Sequence, residues 1–161
     1  FDNSGDFDES LSTLLLKLDP TLIALAGFMH ILSEKFCKKF DGKIVNIHPS
    51  ILPNYKGLNT HKRVLESKEK IHGATVHAVN KHLDSGDILC QGIVPILKND
   101  TEKLLANRVL EIETMIYPLA IAAILSSKVL IENGKWKINK PDLDFPDFNF
   151  SRKIFHPNFV I

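Results

Sequence analysis

Cysteine is scarce in this chain: Cys37 and Cys90 are the only two among 161 residues, and they form no CxxC. That rules against a disulfide framework and fits a reducing compartment. Charge of one sign is not in excess either, since 20 Lys and Arg face 19 Asp and Glu for a formal net charge of +1. Without a basic excess, nucleic acid is not an expected partner. No apolar stretch approaches the ~20 residues of a membrane span, and Phe1-Asp2-Asn3-Ser4-Gly5-Asp6 is unlike a signal peptide. The reading is a cytoplasmic protein that does not engage a membrane. The seven histidines offer no short-spaced ligand pair on one helix face, so no metal is expected. An initiator methionine is also lacking, and a longer native product is the expectation. What is present, 44% hydrophobic and 24% charged residues, suits one domain with a core.

Polar and acidic residues 1–9 read as a flexible lead-in, followed by a leucine-rich helix from Ser10 to Leu18 that Asp19-Pro20 ends. Thr21–Ala26 is apolar on both faces, as in a strand buried within a parallel sheet. Ser33 caps a short helix to about Phe40, and Asp41-Gly42 turns the chain into a strand at 43–48. A helix over 59–68, capped by Asn59 or Thr60, precedes strands at 74–79 and 87–94. Asp100 or Thr101 caps a long helix to about Ser127, with a kink expected near Tyr117 because Pro118 lies inside it. Residues 129–138 form a hairpin around Asn133-Gly134. The fold class is α/β: an open, mainly parallel twisted sheet flanked by helices, with a C-terminal β-hairpin.

The stretch Lys-Ile-Val-Asn-Ile-His-Pro-Ser-Ile-Leu-Pro at 43–53 is the focus. Alternate strand residues share a face, so Asn46 and His48 point the same way at a strand exit that Pro49 terminates. A carboxamide beside an imidazole can stabilise an oxyanion and move a proton. The same two side chains can also satisfy loop backbone and fill a partly buried position. Asp84, in Leu-Asp-Ser-Gly at 83–86, is equally at home as a turn residue or as a carboxylate that carries protons.

Residues 22–29, Asn46-Ile-His-Pro-Ser50, Lys56-Gly-Leu-Asn-Thr-His61, His72-Gly-Ala-Thr-Val-His77 and Leu83-Asp-Ser-Gly86 together resemble the folate-dependent phosphoribosylglycinamide formyltransferases, from about residue 8 to 135. The resemblance implies transfer of a formyl group from 10-formyltetrahydrofolate to the amine of glycinamide ribonucleotide in purine synthesis, with no metal. It implies Asn46, His48 and Asp84 as the catalytic set and His77 as the residue packed behind them. The pterin of the folate co-substrate would sit against Met29, His30, Ile31 and Leu32 and against the turn Val79, Asn80, Lys81, His82 and Leu83. His30 stands where relatives usually have arginine. Pro49, Ser50, Gly57 and Glu113 would line the nucleotide side.

The family's first half-sheet, with its glycine-rich phosphate-binding turn, has no counterpart here, so a longer chain or a partner chain is expected to cover the strand at 21–26. Residues 10–139 read as the catalytic domain and 140–161 as an aromatic, proline-containing tail that packs on the domain or covers an exposed face. A homo-oligomer stays open. Two other readings remain: a formyltetrahydrofolate deformylase, against which Pro49 and Asn59-Thr60-His61 argue, and a non-catalytic folate-binding remnant.

Overall fold

The computed structural model describes residues 4–127, 129–132, 135–138, 154–156 and 159–160. Helix α1, Ser4–Leu18, starts well before Ser10, inside the expected lead-in. Tertiary contacts extend it: the Phe7 ring lies 4.7 Å from His30, and Asp8 accepts the Ser33 N–H at 2.6 Å. Asp6 in the first turn faces the positive end of the helix dipole. Strand β1, Ile23–Leu25, leads to α2, Glu34–Lys39, which Ser33 caps by accepting the Phe36 N–H at 3.2 Å. Next come β2, Ile44–His48, and α3, Thr60–Leu65. Helix α3 is shorter than the expected 59–68 because the Ser67 hydroxyl donates to the Val64 carbonyl and draws the chain out of the helix. Asn59 is its N-cap residue but makes no side-chain cap bond.

Strands β3, Ile71–Ala78, and β4, Ile88–Pro95, are joined by the turn that contains Asp84. Helix α4, Glu102–Leu125, is capped by Thr101 and runs through Pro118 as one helix. Strands β5, Val129–Glu132, and β6, Lys135–Ile138, pair as the expected hairpin, whose turn at 133–134 lies outside the described residues. Most of the tail also lies outside them. Its β7, Ile154–His156, pairs with β4, and β8, Phe159–Val160, pairs with β7.

The sheet order is β1-β2-β3-β4-β7-β8. The α/β sheet flanked by helices is the expected class, and its β1–β2 pair is parallel, joined through α2. Its other described pairs, β2–β3, β3–β4, β4–β7 and β7–β8, are antiparallel, unlike the mainly parallel arrangement anticipated. A parallel return needs a helix that carries the chain back along the sheet. Short α3 leaves the chain at the end of the sheet where β2 finished, and the turn at 79–87 holds no helix at all.

Two cores hold the layers. Leu105, Val109, Ile112, Ile116 and Ala120 of α4 bury against Ile47, Ala74, Val76 and Val94 of the sheet. A second cluster joins Phe36, Cys37 and Phe40 to Ile44, with Leu11, Leu15 and Ile23 packed around it. Strand β1 is not the enclosed strand that its apolar sequence suggested. It pairs on one side only among the described residues, and Ala24 is exposed.

Candidate active site

Register creates the site. Asn46 lies opposite His77 and His48 opposite Thr75 in the β2–β3 pairing, so two polar residues of one strand meet two of the next. Asn46 Nδ2 is 3.3 Å from His77 Nε2. The other ring nitrogen, His77 Nδ1, donates to the Ala78 carbonyl at 2.8 Å. Burial of His77 holds its imidazole below the usual histidine range, so the ring is neutral and Nε2 accepts from Asn46. The Asn46 amide is thereby pinned through one N–H. Its second N–H is left for another acceptor, while Asn46 Oδ1 is buried without a hydrogen-bond partner.

His48 is buried, with Nε2 donating to the Tyr55 carbonyl at 3.0 Å and Nδ1 facing Asp84 Oδ2 at 3.4 Å. Asp84 has a left-handed backbone, φ 44, and a side chain only 8% exposed. Its Oδ2 also accepts the Gly57 N–H at 2.8 Å, and its Oδ1 is 3.8 Å from His77 Nε2. Asn46, His48, His77 and Asp84 therefore form one cluster, as the sequence suggested.

Two openings meet at this cluster. A broad cleft of about 530 Å³ is lined by Asn46, His48, Pro49, Gly57, Asp84 and Glu113, with Met29, His30 and Ile31 along another wall. A narrow crevice of about 60 Å³ is lined by His30, Ile31, Leu32 and the turn Val79, Asn80, Lys81, His82 and Leu83. Asn46 and Asp84 belong to both. Burial of Glu113 raises its carboxyl above the usual range, which suits a carboxylate waiting for a hydrogen-bond donor.

Ser50 departs from the expectation that it lines the nucleotide side. It is fully buried, its hydroxyl donates to the Asn54 carbonyl at 2.7 Å, and its own carbonyl accepts from Thr75. A hydroxyl at a strand exit is as useful for closing the loop as for meeting a ligand, and here it closes the loop. The side chain of His30 reaches α1, where its Nε2 stands 3.4 Å from Asp8 Oδ1.

Sequence reasoning missed three supports. The Thr75 hydroxyl receives Leu52 N–H and Gln91 Nε2–H and so fixes the loop after His48. The Tyr55 carbonyl orients His48, and the Tyr117 hydroxyl donates toward the Leu25 and Val45 carbonyls, tying α4 to β1 and β2. Thr75 could have been found from its place on the His77 face; the other two arise from loop and helix geometry that no local pattern carries.

Residues 1–121 match the family described as Formyl transferase. The phosphoribosylglycinamide formyltransferase of Haemophilus influenzae is 46% identical over 134 residues, 83% of this chain and 63% of that enzyme. The trifunctional purine biosynthetic protein adenosine-3 of Gallus gallus is 45% identical over 135 residues, 82% of this chain and 14% of that protein. Among solved structures, the phosphoribosylglycinamide formyltransferase of Anaplasma phagocytophilum superposes with a TM-score of 0.77 at 41% identity, over 83% of this chain and 66% of that one. The chain thus spans less than two thirds of these two curated relatives, and with its Asn46–His48–Asp84 cluster at the cleft it belongs to the formyl transferase family.

Proposed function

We propose that this chain carries the catalytic part of a phosphoribosylglycinamide formyltransferase, with 10-formyltetrahydrofolate as formyl donor and glycinamide ribonucleotide as acceptor. The observation that carries the reading is the meeting of Asn46, His48 and Asp84 where the broad cleft joins the narrow crevice. The crevice suits the flat pterin, with Leu32 as apolar cover and turn backbone to read the ring edge. The broad cleft takes the nucleotide, with Glu113 as acceptor for its hydroxyl or amine hydrogens.

The chemistry follows from the free groups. The amine nitrogen attacks the formyl carbon, a C–N bond forms, and the carbonyl oxygen gains negative charge in a tetrahedral intermediate. The second Asn46 Nδ2–H, held in place by His77, donates to that oxygen, while His48, with its Nε2–H on the Tyr55 carbonyl, turns Nδ1 toward Asp84. Asn46 Oδ1, otherwise without a partner, accepts from the attacking amine and aims its lone pair. Collapse breaks the bond between the formyl carbon and the tetrahydrofolate nitrogen. One amine proton leaves and one proton reaches that nitrogen, and Asp84 serves both transfers through an intervening water.

Product absorbance of the folate, followed in the full-length native protein with and without the nucleotide, tests the reading. Turnover that requires the nucleotide supports it. Turnover indifferent to the nucleotide identifies a deformylase, and binding of folate without turnover identifies a remnant.

A further inference from the structure

Asp84 has a left-handed backbone, which aspartate adopts in turns more readily than most non-glycine residues do. The turn at 79–87 is fastened from two directions. On the cleft side, Gly57 N–H binds the Asp84 carboxylate, Lys56 Nζ donates to the Ser85 hydroxyl, and that hydroxyl donates to the Leu83 carbonyl at 2.8 Å. On the far side the fastening comes from the β5–β6 hairpin, which lies beyond the matched residues 1–121. Trp136 Nε1–H donates to the Asp87 carbonyl at 2.7 Å, and Asp87 Oδ2 accepts the Trp136 backbone N–H at 2.8 Å. The same Asp87 carbonyl also receives the Ala78 N–H at 2.9 Å. Between Asp84 and Asp87, Gly86 passes so close to the Ala78 carbonyl that no Cβ fits there.

The hairpin is itself anchored. Val129 is buried in the α4 core and Trp136 packs on that core. A surface pocket of about 330 Å³ lies beside the turn, lined by Lys56, Asp84, Ser85, Asp87 and Trp136. Lys81 adds an exposed tie to Glu34 at 3.2 Å, and the Asp87 end of the turn is held by the hairpin and by the Ala78 N–H.

We infer that Trp136 is a positioning residue for Asp84: through Asp87 it sets the far end of the catalytic turn, as Lys56 and Gly57 set the near end. Asp84 Oδ2 stands 3.4 Å from His48 Nδ1, and a displacement on the order of 1 Å costs on the order of 100-fold in a well-oriented reaction. Losing one of the two Trp136 bonds is a smaller displacement, because the Ala78 N–H and the Trp136 backbone N–H remain. The inference rests on Asp84 being the proton carrier of the proposed transfer.

Trp136→Phe keeps an aromatic ring and removes the Nε1 donor together with the five-membered half of the indole, so the hairpin's own stability is measured alongside. Two measurements on the full-length protein decide. Hydrogen–deuterium exchange of the segment 82–87 is expected to quicken in the variant, and kcat per titrated active site to fall about tenfold with KM for both substrates within about twofold of wild type. The pH–rate profile is expected to change shape as well. If Trp136 only braces the hairpin, the melting temperature and the active fraction will drop while exchange at 82–87, kcat per site and the profile stay at wild type, and the inference is overturned. A wild-type protein with no transfer activity would remove the proposed reaction, and the exchange measurement would still decide whether Trp136 holds the turn.

Discussion

Asn46 and Asp84 share a cleft and differ in what their removal should do. On the proposed mechanism, Asn46→Ala deletes an oxyanion donor and an acceptor for the amine together. In the full-length protein kcat is expected to fall by a factor of about 100 to 1,000, with smaller changes in substrate binding. The loss should be nearly flat with pH, because an amide does not titrate. Asp84→Asn is nearly isosteric, and its Oδ1 can still accept the Gly57 N–H beside His48. Its effect should be on the shape of the pH–rate profile, since the proton carrier is gone while the packing stays. Wild-type rate and profile in Asp84→Asn would make the aspartate a turn residue and remove it from the mechanism. His77 acts one step back: the neutral ring that accepts from Asn46 fixes which amide hydrogen is free for chemistry.

At the scale of elements, helix and sheet meet closely where α4 crosses β4. Gly92 of β4 faces Ile112, and a Cβ there would run into the Ile112 Cγ2 methyl, with Ile116 Cγ2 3.4 Å away. Gly92→Ala should destabilise the fold by roughly 1–3 kcal/mol, the usual cost of overpacking, read as a shift in the urea midpoint at constant m. An unchanged midpoint would mean that α4 can move outward at no cost. This joint shows where sequence reading stops. Ser33, Thr101, Asn46, His48 and the β5–β6 hairpin were legible because caps, strand alternation and turns are local signals. The start of α1 was not, because Phe7 and Asp8 become helical through contacts with Phe28, His30 and Ser33, far along the chain. The direction of β3 was hidden too, since strand propensity is the same for a parallel and an antiparallel return. Ser50 carried a polar signal that suited a ligand or a loop equally, and only its distance to the Asn54 carbonyl decides.

For the molecule as a whole, buried His72 and His77 and half-buried His61 tie stability to pH. His61 Nδ1 and His72 Nε2 are 3.1 Å apart, so the pair shares one hydrogen and cannot hold two charged rings. Burial pushes His72 down to about 4, with His61 and His48 nearby adding to the shift, and burial lowers His61 and His77 as well. Each folded-state value lies below the unfolded one, so the unfolded chain binds more protons in between. The stabilisation is complete above about pH 6.5 and is lost as pH falls toward 4, on the order of 3 kcal/mol from His72 alone. Urea unfolding at pH 7.5 and pH 5 should show this loss, and equal stabilities at the two values would mean that the pair is solvated. Trp136 offers one more handle on the molecule. It is the only tryptophan in the chain, and its indole is hydrogen-bonded to the turn that lines the narrow crevice. Its emission is therefore a built-in optical gauge: if the crevice takes a folate as proposed, selective excitation of the unlabelled protein should report its entry as a change in intensity or wavelength, from a single fluorophore at a known place.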